Sequence, residues 1–538
     1  MAGRAPQDPV NNNDSSDESS SDSESIESGS DGSSVELKTL FDAHLRLITR
    51  NPALIAKDEL NTSPLFTGPV NRSTQTSGHG ESISGLSVMQ YGLLGGSVDM
   101  LDDAGDSKAD PRIFHNVTSP SSVFICGSQG SGKSHTLSCL LENCLIPSEA
   151  GVLPRPLTGV VFHYDTFSSD TGGTPCEAAY LSSSKQVHVR VLCPPTNIQT
   201  IKRIYGKLPN VSVEELLIDH SDLNTKRMLD LMAVGTGEMP LYLHVVKRVL
   251  RDMRVEQQHS GTPFIYADFK TRMMGESLTV AQSAPLQQRL DTLESFMPKG
   301  QTIGQASKKK KKTPTGTDWT AKARQLTIVD LSCPCVTPDM ACSLFNICLS
   351  LFLEQDGGIG RVVALDEAHK YMTESPDSAA LTNNLMETIR LQRHLGARVI
   401  ISTQEPSISP KLLDLCSVTI VHRFSSPEWL RTLKEHLAGV SSASRLLQQA
   451  QSRQGGKLDV CTVRLDAADP MMDLFSIIVN LRVGEALVFA PGAVVGCVGG
   501  RESVSGRPGF IRLGNGIVKV QNVLDSQPWL MSSSCSAN

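Results

Sequence analysis

Three observations predict an α/β protein with a mostly parallel sheet. From residue 111 onward, short β-branched runs alternate with amphipathic stretches. A loop of the form G-x-x-x-x-G-K-S joins one such run to a helical stretch. A later run ends on two adjacent acids. Strand–helix alternation implies parallel strands joined by crossovers. Ligands of open parallel sheets gather at the carboxyl ends of the strands.

Residues 1–34 are serine and acid with almost nothing apolar, so they read as a disordered acidic tail. "VELKTLFDAHLRLITR" (35–50) has apolar residues near i, i+3 and i+4, a helix closed by Asn51 and Pro52. Residues 51–110 are rich in Ser, Thr and Gly and read as a linker, with "GLLGG" inside it as a docking point. The main domain spans 111–500. Its strands begin with "SVFIC", "TGVVFHYD" and "VHVRVL". Residues 198–297 read as a helical insertion, with "MPLYLHVVKRVLRDM" as an example, and 307–317 as a lysine-rich loop. Then come "QLTIVDLS", "RVVALDEAHK", "ARVIISTQ" and "SVTIVHRF", and last "GEALVFAPG". Residues 501–538 remain as a C-terminal extension, and no internal repeat is visible.

At 538 residues the chain is long enough for a large core. A net charge of −6 gives no global basic field. No apolar run has the length of a membrane span, and the N-terminus lacks the regions of a signal peptide. An intracellular protein, cytoplasmic or nuclear, is expected. Thirteen scattered cysteines, among them Cys139, Cys144, Cys342 and Cys348 in apolar helices, suit buried thiols in a reducing compartment. "CPC" at Cys333 to Cys335 lacks a second pair at zinc-finger spacing and reads as a loop.

The loop at 127–134 comprises Gly127, Ser128, Gln129, Gly130, Ser131, Gly132, Lys133 and Ser134, with His135 following. Glycines let the backbone turn its N–H groups around an anion. The preceding strand and the following helix N-terminus are the context this motif requires. Lys133 should reach the β- and γ-phosphates of a nucleotide, and the Ser134 hydroxyl should ligate Mg²⁺.

"VVALDEAHK" places Asp366 and Glu367 at a strand end, the edge that meets the loop. Asp366 suits an acid that holds Mg²⁺, and Glu367 a carboxylate that polarises an attacking water. Glu367 can also be read as an acid favouring the next helix N-terminus. Gln404 closes a further strand, where its amide can meet a γ-phosphate or bond a turn. Arg390 and Arg393 lie at i, i+3 in "METIRLQRHLGA" and share a helical face, either as a solvated basic face or as cations for a phosphoryl group across a subunit boundary. Arg423 is a weaker candidate. The Lys308–Lys312 run can touch nucleic acid, act as a nuclear import signal, or be a solvated loop.

The order of phosphate loop, helical insertion, "TIVDLS", "VVALDEAHKYM", "RLQRHLGARVIISTQEPS" and "VTIVHRF" resembles the HerA–FtsK superfamily of P-loop ATPases, HerA-like members above all. "LRVGEALVF" is similar to that family's closing strand. The "FICGSQGSGKSH" form also resembles eukaryotic P-loop proteins of fungal type. The resemblance covers 112–500. It implies a RecA-like P-loop NTPase core that hydrolyses ATP with Mg²⁺, usually as a hexameric ring, with DNA as a possible cargo; the lack of an apolar span adds the expectation of no membrane partner. It places Lys133, Ser134, Asp366, Glu367 and Gln404 at nucleotide and sensor positions, and Arg390 or Arg393 in the arginine-finger region.

The chain departs from the pattern in its first 110 residues, where low complexity and no series of strands replace the β-barrel of prokaryotic HerA proteins. Neither an FtsK-like membrane segment nor a winged-helix tail is evident. "DEAH" also occurs in two-lobed RNA helicases, but no second lobe with a glycine–arginine motif follows Gln404. The intact acids argue against a degenerate ATPase. A non-translocating nucleotide switch or scaffold that recruits partners through the acidic tail is the rival from another class.

Overall fold

The computed structural model describes residues 39–42, 44–45, 58–75, 88–102, 110–166, 172–232, 241–298, 301, 316–355, 358–436, 463, 470–498 and 509–522. The acidic tail and the Lys308–Lys312 run lie outside them. The chain divides into two units, Met1–Leu54 and Ile55–Asn538. In the first, residues 39–42 and 44–45 are helical, inside the stretch expected as a helix.

The second unit carries a sheet with sixteen strands among the described residues. They are β1 (Leu65–Thr67), β2 (Tyr91–Ser97), β3 (Arg112–Asn116), β4 (Ser122–Cys126), β5 (Gly151–Val152), β6 (Thr158–His163), β7 (His188–Cys193) and β8 (Val211–Glu215). β9 (Gln325–Asp330), β10 (Arg361–Leu365), β11 (Ala397–Thr403), β12 (Val418–His422), β13 (Glu485–Phe489), β14 (Val494–Val498), β15 (Gly509–Arg512) and β16 (Val518–Asn522) follow. Eight strands form a parallel block in the order β12-β4-β11-β10-β6-β9-β7-β8.

The inner strands β12, β4, β11, β10, β6 and β9 are covered on both faces and buried at every residue rather than at alternate ones, while β8 at the edge is partly exposed. On one face Phe124, Phe162, Val363, Leu365, Val399 and Ile401 pack with residues of α2 (Pro338–Leu353) and α3 (Pro376–Arg390). Phe162 and Phe345 rings lie 4.9 Å apart there. On the other face Val123, Ile125, Val161, Val362, Ala364 and Ile400 meet α1 (Lys133–Leu145). The long helices α2 and α3 start at Pro338 and Pro376, behind Thr337 and Ser375, whose side chains accept from Met340 and Ser378 backbone N–H groups.

The register sets the carboxyl ends of the central strands level. Cys126 pairs with Thr403 and with Val421, and Leu365 with Ile401 and with Phe162. The phosphate loop, Asp366, Gln404 and Arg423 all leave the sheet at this edge.

Part of the expected linker is built into the sheet. β1, β2 and the helix Gly68–Gln75 fall within 51–110, and "GLLGG" is the interior of β2 rather than a docking point. β2 pairs antiparallel with β3 and with β16, and β16 pairs with β13. The N-terminal stretch thus does supply strands, and the expected C-terminal extension supplies β15 and β16. The antiparallel section has its own small core of Leu60, Phe66, Val70, Val88, Tyr91, Phe114 and Val494. β2 escapes notice because it is glycine-rich, and glycine is depleted in strands. Its glycines serve close approach: a Cβ at Gly92 would lie 2.0 Å from Asn143 Oδ1. The insertion is also interrupted, since β8 extends the parallel block between the helices Ile198–Tyr205 and Thr225–Leu231. Leu241–Ser260, Tyr266–Met274 and Val280–Ser295 are helical as expected.

Among the described residues, no helix is long and apolar enough to cross a membrane.

Candidate active site

The phosphate loop rises from β4 and falls into α1. Gly127 has φ 149° and Gly132 φ 109°, conformations that side chains rarely adopt. A Cβ at Gly127 would also stand 2.6 Å from His422 Cβ. α1 begins on Gly132 without a side-chain cap, so its N-terminus and the positive end of the helix dipole face the loop. The crest at Gln129 and Gly130 is exposed, while Ser131 and Lys133 are buried. Lys133 Nζ donates to Ser128 O at 3.2 Å. Burial lowers the Lys133 ammonium below the usual lysine range, against the pull of Glu367 and then Asp366. His135 Nε2 lies 3.6 Å from Cys139 Sγ on the next turn of α1.

The loop is held from below by β12 and the C-terminal strands. Ser128 N and Oγ both donate to Arg423 O at 2.8 Å. His422 Nδ1 donates to Glu485 O at 3.0 Å, and its Nε2 lies 2.8 Å from Thr136 Oγ1. Asn522 Nδ2, on β16, donates to the same hydroxyl at 2.7 Å. Burial pushes His422 down to about 4, so it is neutral at neutral pH. Arg423 itself points to solvent beside the loop it tethers.

Asp366 follows β10 and is 3 % exposed. Its Oδ2 meets His163 Nδ1 at 3.1 Å and accepts from Cys176 Sγ at 3.5 Å. Burial works against the charge on Asp366, but His163 and then Cys176 hold its carboxyl below the usual range. Burial also opposes a charge on His163, yet the hydrogen bond to Asp366 and the charge of Asp330 hold it well above the ordinary histidine range. The ligand atoms of His163, Cys176 and Asp366 lie within 4.8 Å of one another. Burial pushes the Cys176 thiol up to about 12, so it is a neutral donor to Asp366 and not a thiolate ligand. The other oxygen, Asp366 Oδ1, is buried with no hydrogen-bond partner. An orphaned carboxylate oxygen, with the Ser134 hydroxyl on the loop, is a hard oxygen set that fits Mg²⁺.

Glu367 sits in the left-handed region at φ 50°, ψ 44°, a conformation that costs a side-chain-bearing residue about 1–3 kcal/mol. Its carboxylate does not cap the turn that follows. Gln404 Nε2 donates to Glu367 Oε2 at 3.2 Å, while Gln404 N–H approaches His369 Nδ1 at 3.4 Å. Burial lowers His369, against the charge of Glu367.

Lys133, Ser134, Asp366, Glu367 and Gln404 therefore belong to one edge of the sheet. Arg390 and Arg393 do not join them. Both are exposed and precede β11, whose seven residues at about 3.3 Å each separate them from Gln404 at its far end. α3 ends at Arg390 and the short helix Gln392–Leu395 starts one residue later, with Leu391 N–H still donating to Glu387 O at 2.9 Å.

Sequence reasoning missed His163, Cys176, Glu177, His369 and His422. Glu177 opens the 3-10 segment Glu177–Ser183 and lies within electrostatic reach of Ser134, Asp366, Glu367 and Lys133. Removal from water and then the charge of Asp366 raise Glu177 above the usual carboxylate range. The histidines that end "VVFH" and "TIVH" offered a signal, as polar residues closing apolar strands at the ligand-binding edge. Cys176 and Glu177 offered none.

No family model matches the chain, and no curated protein matches it. Among solved structures the chain is similar to VirB4 of Thermoanaerobacter pseudethanolicus, at 13% identity over 85% of this chain and 100% of that one, with a TM-score of 0.42. It is similar to the plasmid coupling protein TrwB in complex with the ATP analogue ADPNP, at 14% identity over 85% and 97%, TM-score 0.42. The genome packaging NTPase B204 from Sulfolobus turreted icosahedral virus 2, in complex with ATP-gammaS, matches at 13% identity over 38% and 69%, TM-score 0.22.

Proposed function

We propose that this chain is an ATP hydrolase of the HerA–FtsK type that works as an oligomeric motor on DNA. The observation that carries the reading is the convergence of the phosphate loop, Asp366, Glu367 and Gln404 at the level carboxyl ends of β4, β10 and β11. Lys133 and the first N–H groups of α1 bind the β- and γ-phosphates. Ser134 and Asp366 would hold Mg²⁺, which when bound neutralises charge on the phosphoryl oxygens. Glu367 orients a water and takes its proton. Gln404 holds Glu367 in place and lies beside the same phosphate.

DNA as cargo and a ring as the working form rest on the order of motifs from "FICGSQGSGKSH" to "VTIVHRF", which is that of the superfamily. The exposed Arg390 and Arg393, remote from their own loop, suit a role at a neighbour's site in such a ring.

Mass by light scattering with and without ATP, run beside hydrolysis assays with single- and double-stranded DNA, tests the reading. A ring whose hydrolysis DNA stimulates is expected. A monomer with slow, unstimulated hydrolysis would replace the motor by a nucleotide switch.

A further inference from the structure

Resting on the reading of this edge as a nucleotide site, we propose that Asn522 is a positioning residue for the phosphate loop, acting through the Thr136 hydroxyl on the first turn of α1. Asn522 ends β16, in the stretch expected as a C-terminal extension. It is 4 % exposed, and Thr136 and His422 are fully buried. A buried amide costs free energy unless its hydrogen bonds are made. Nδ2 has only hydrogens to give, so Thr136 Oγ1 accepts from it at 2.7 Å. The one hydrogen of the Thr136 hydroxyl is left to give, and His422 Nε2 at 2.8 Å is nearer than Gly132 O at 3.3 Å. Because His422 Nδ1–H is given to Glu485 O at 3.0 Å, Nε2 is the bare nitrogen that can take it. The bonds thus run one way, from Asn522 through Thr136 to His422 and Glu485.

This line closes on itself. β13, which carries Glu485, pairs with both β12 and β16, with Ala486 opposite His422 and Gln521 opposite Glu485. The first turn of α1 is therefore fastened to a frame of three paired strands. Asn522 holds a second point through its backbone. Its N–H donates to Gly484 O at 3.0 Å, and Gly484 N–H donates to Ser131 O, within the loop, at 3.3 Å. Packing leaves the loop little room to drift: a Cβ at Gly127 would stand 2.6 Å from His422 Cβ, and one at Gly132 3.1 Å from Gly484 N. Lys133 and Ser134 precede Thr136 in the same turn. Fixing that turn before a nucleotide arrives spares the ordering that binding otherwise costs. Asn522 thus sets nucleotide affinity from outside the loop, by holding the groups that meet the phosphates.

The test is binding of a non-hydrolysable ATP analogue with Mg²⁺ to the full chain, by calorimetry well below the unfolding transition, so that only folded protein is read. Asn522→Leu keeps the size and removes the amide, and Thr136→Val keeps the shape and removes the hydroxyl. Each should weaken the analogue by about 10-fold or more, since misplacing a group by about 1 Å can cost about 10²-fold. Thr136→Ser should restore most of the affinity. The double variant should bind no more weakly than the weaker single variant, because both changes remove the same contact. If Asn522→Leu does not fold, the comparison of Thr136→Ser with Thr136→Val decides alone. Affinity unchanged in Asn522→Leu and Thr136→Val overturns the proposal while leaving the ATPase reading intact. So does Thr136→Ser as weak as Thr136→Val, or losses that add in the double variant. Loss of native near-ultraviolet circular dichroism in parallel with affinity overturns it in favour of a structural role. Wild-type protein that binds no analogue overturns the ATPase reading, and the role of Asn522 with it.

Discussion

Gln404 Nε2 donates to Glu367 Oε2 at 3.2 Å, joining the residues that close two neighbouring parallel strands. This contact aims the carboxylate without consuming it, since Oε1 remains for a water. Glu367→Gln preserves the shape and removes the proton-accepting charge. Binding of an ATP analogue should survive while turnover falls by about 10²–10⁴-fold. Equilibrium binding and steady-state hydrolysis measured side by side decide it, and joint loss of both would make Glu367 structural.

Lys133→Ala removes the buried ammonium beside Glu367 and Asp366. Hydrolysis should drop to background. A variant that hydrolyses ATP like wild type would contradict the phosphate-loop assignment.

Arg390 and Arg393 are too far along β11 to reach their own loop, so an effect on turnover must come from a neighbour. Each Arg→Ala chain should lose about 10³–10⁵-fold in turnover if it supplies the finger. Mixing it with Lys133→Ala chains should restore part of the activity. Intact rings with no recovery in either mixture, or a loss of only a few-fold, would exclude a finger at these positions.

His422 and His115 are buried and neutral, pushed by burial to about 4 and about 3 from an ordinary 6.5. Their folded values lie below the unfolded value, so the unfolded chain takes up protons first as pH falls. Stability should therefore be full above about pH 6.5 and decline toward pH 4. One such proton gives a slope of about 1.4 kcal/mol per pH unit. Urea unfolding between pH 6 and 4.5 should show His422→Gln with a slope shallower by about that amount. An unchanged slope would mean that His422 is protonated in the folded protein.

The Lys308–Lys312 run offers five charges for phosphates. If it binds DNA, replacing all five by Gln should weaken affinity uniformly across sequences and flatten the salt slope by roughly 0.9 per lost contact. Unchanged affinity with a shift of the protein to the cytoplasm would instead identify an import signal.

The parallel block and the centre of its site were legible because each rests on a local pattern. A β-branched run must be buried, Gly127 and Lys133 mark a loop and a helix start, and an acid after "VVAL" must stand at a strand end. The antiparallel section was not legible. β2 is glycine-rich, β1 has three residues, and β16 matters through Asn522, which reaches Thr136 from 386 positions away. Cys176 and Glu177 lie in a stretch without periodicity, and Cys176 meets Asp366 because β6, which leads into that stretch, pairs with β10, which ends at Asp366. Glu367 was read as an acid at a strand end, yet its left-handed turn toward Gln404 came only with the fold. Local sequence encodes period, turn chemistry and strand ends. Which distant side chains then meet is set by register and packing across the sheet, and these belong to the assembled core.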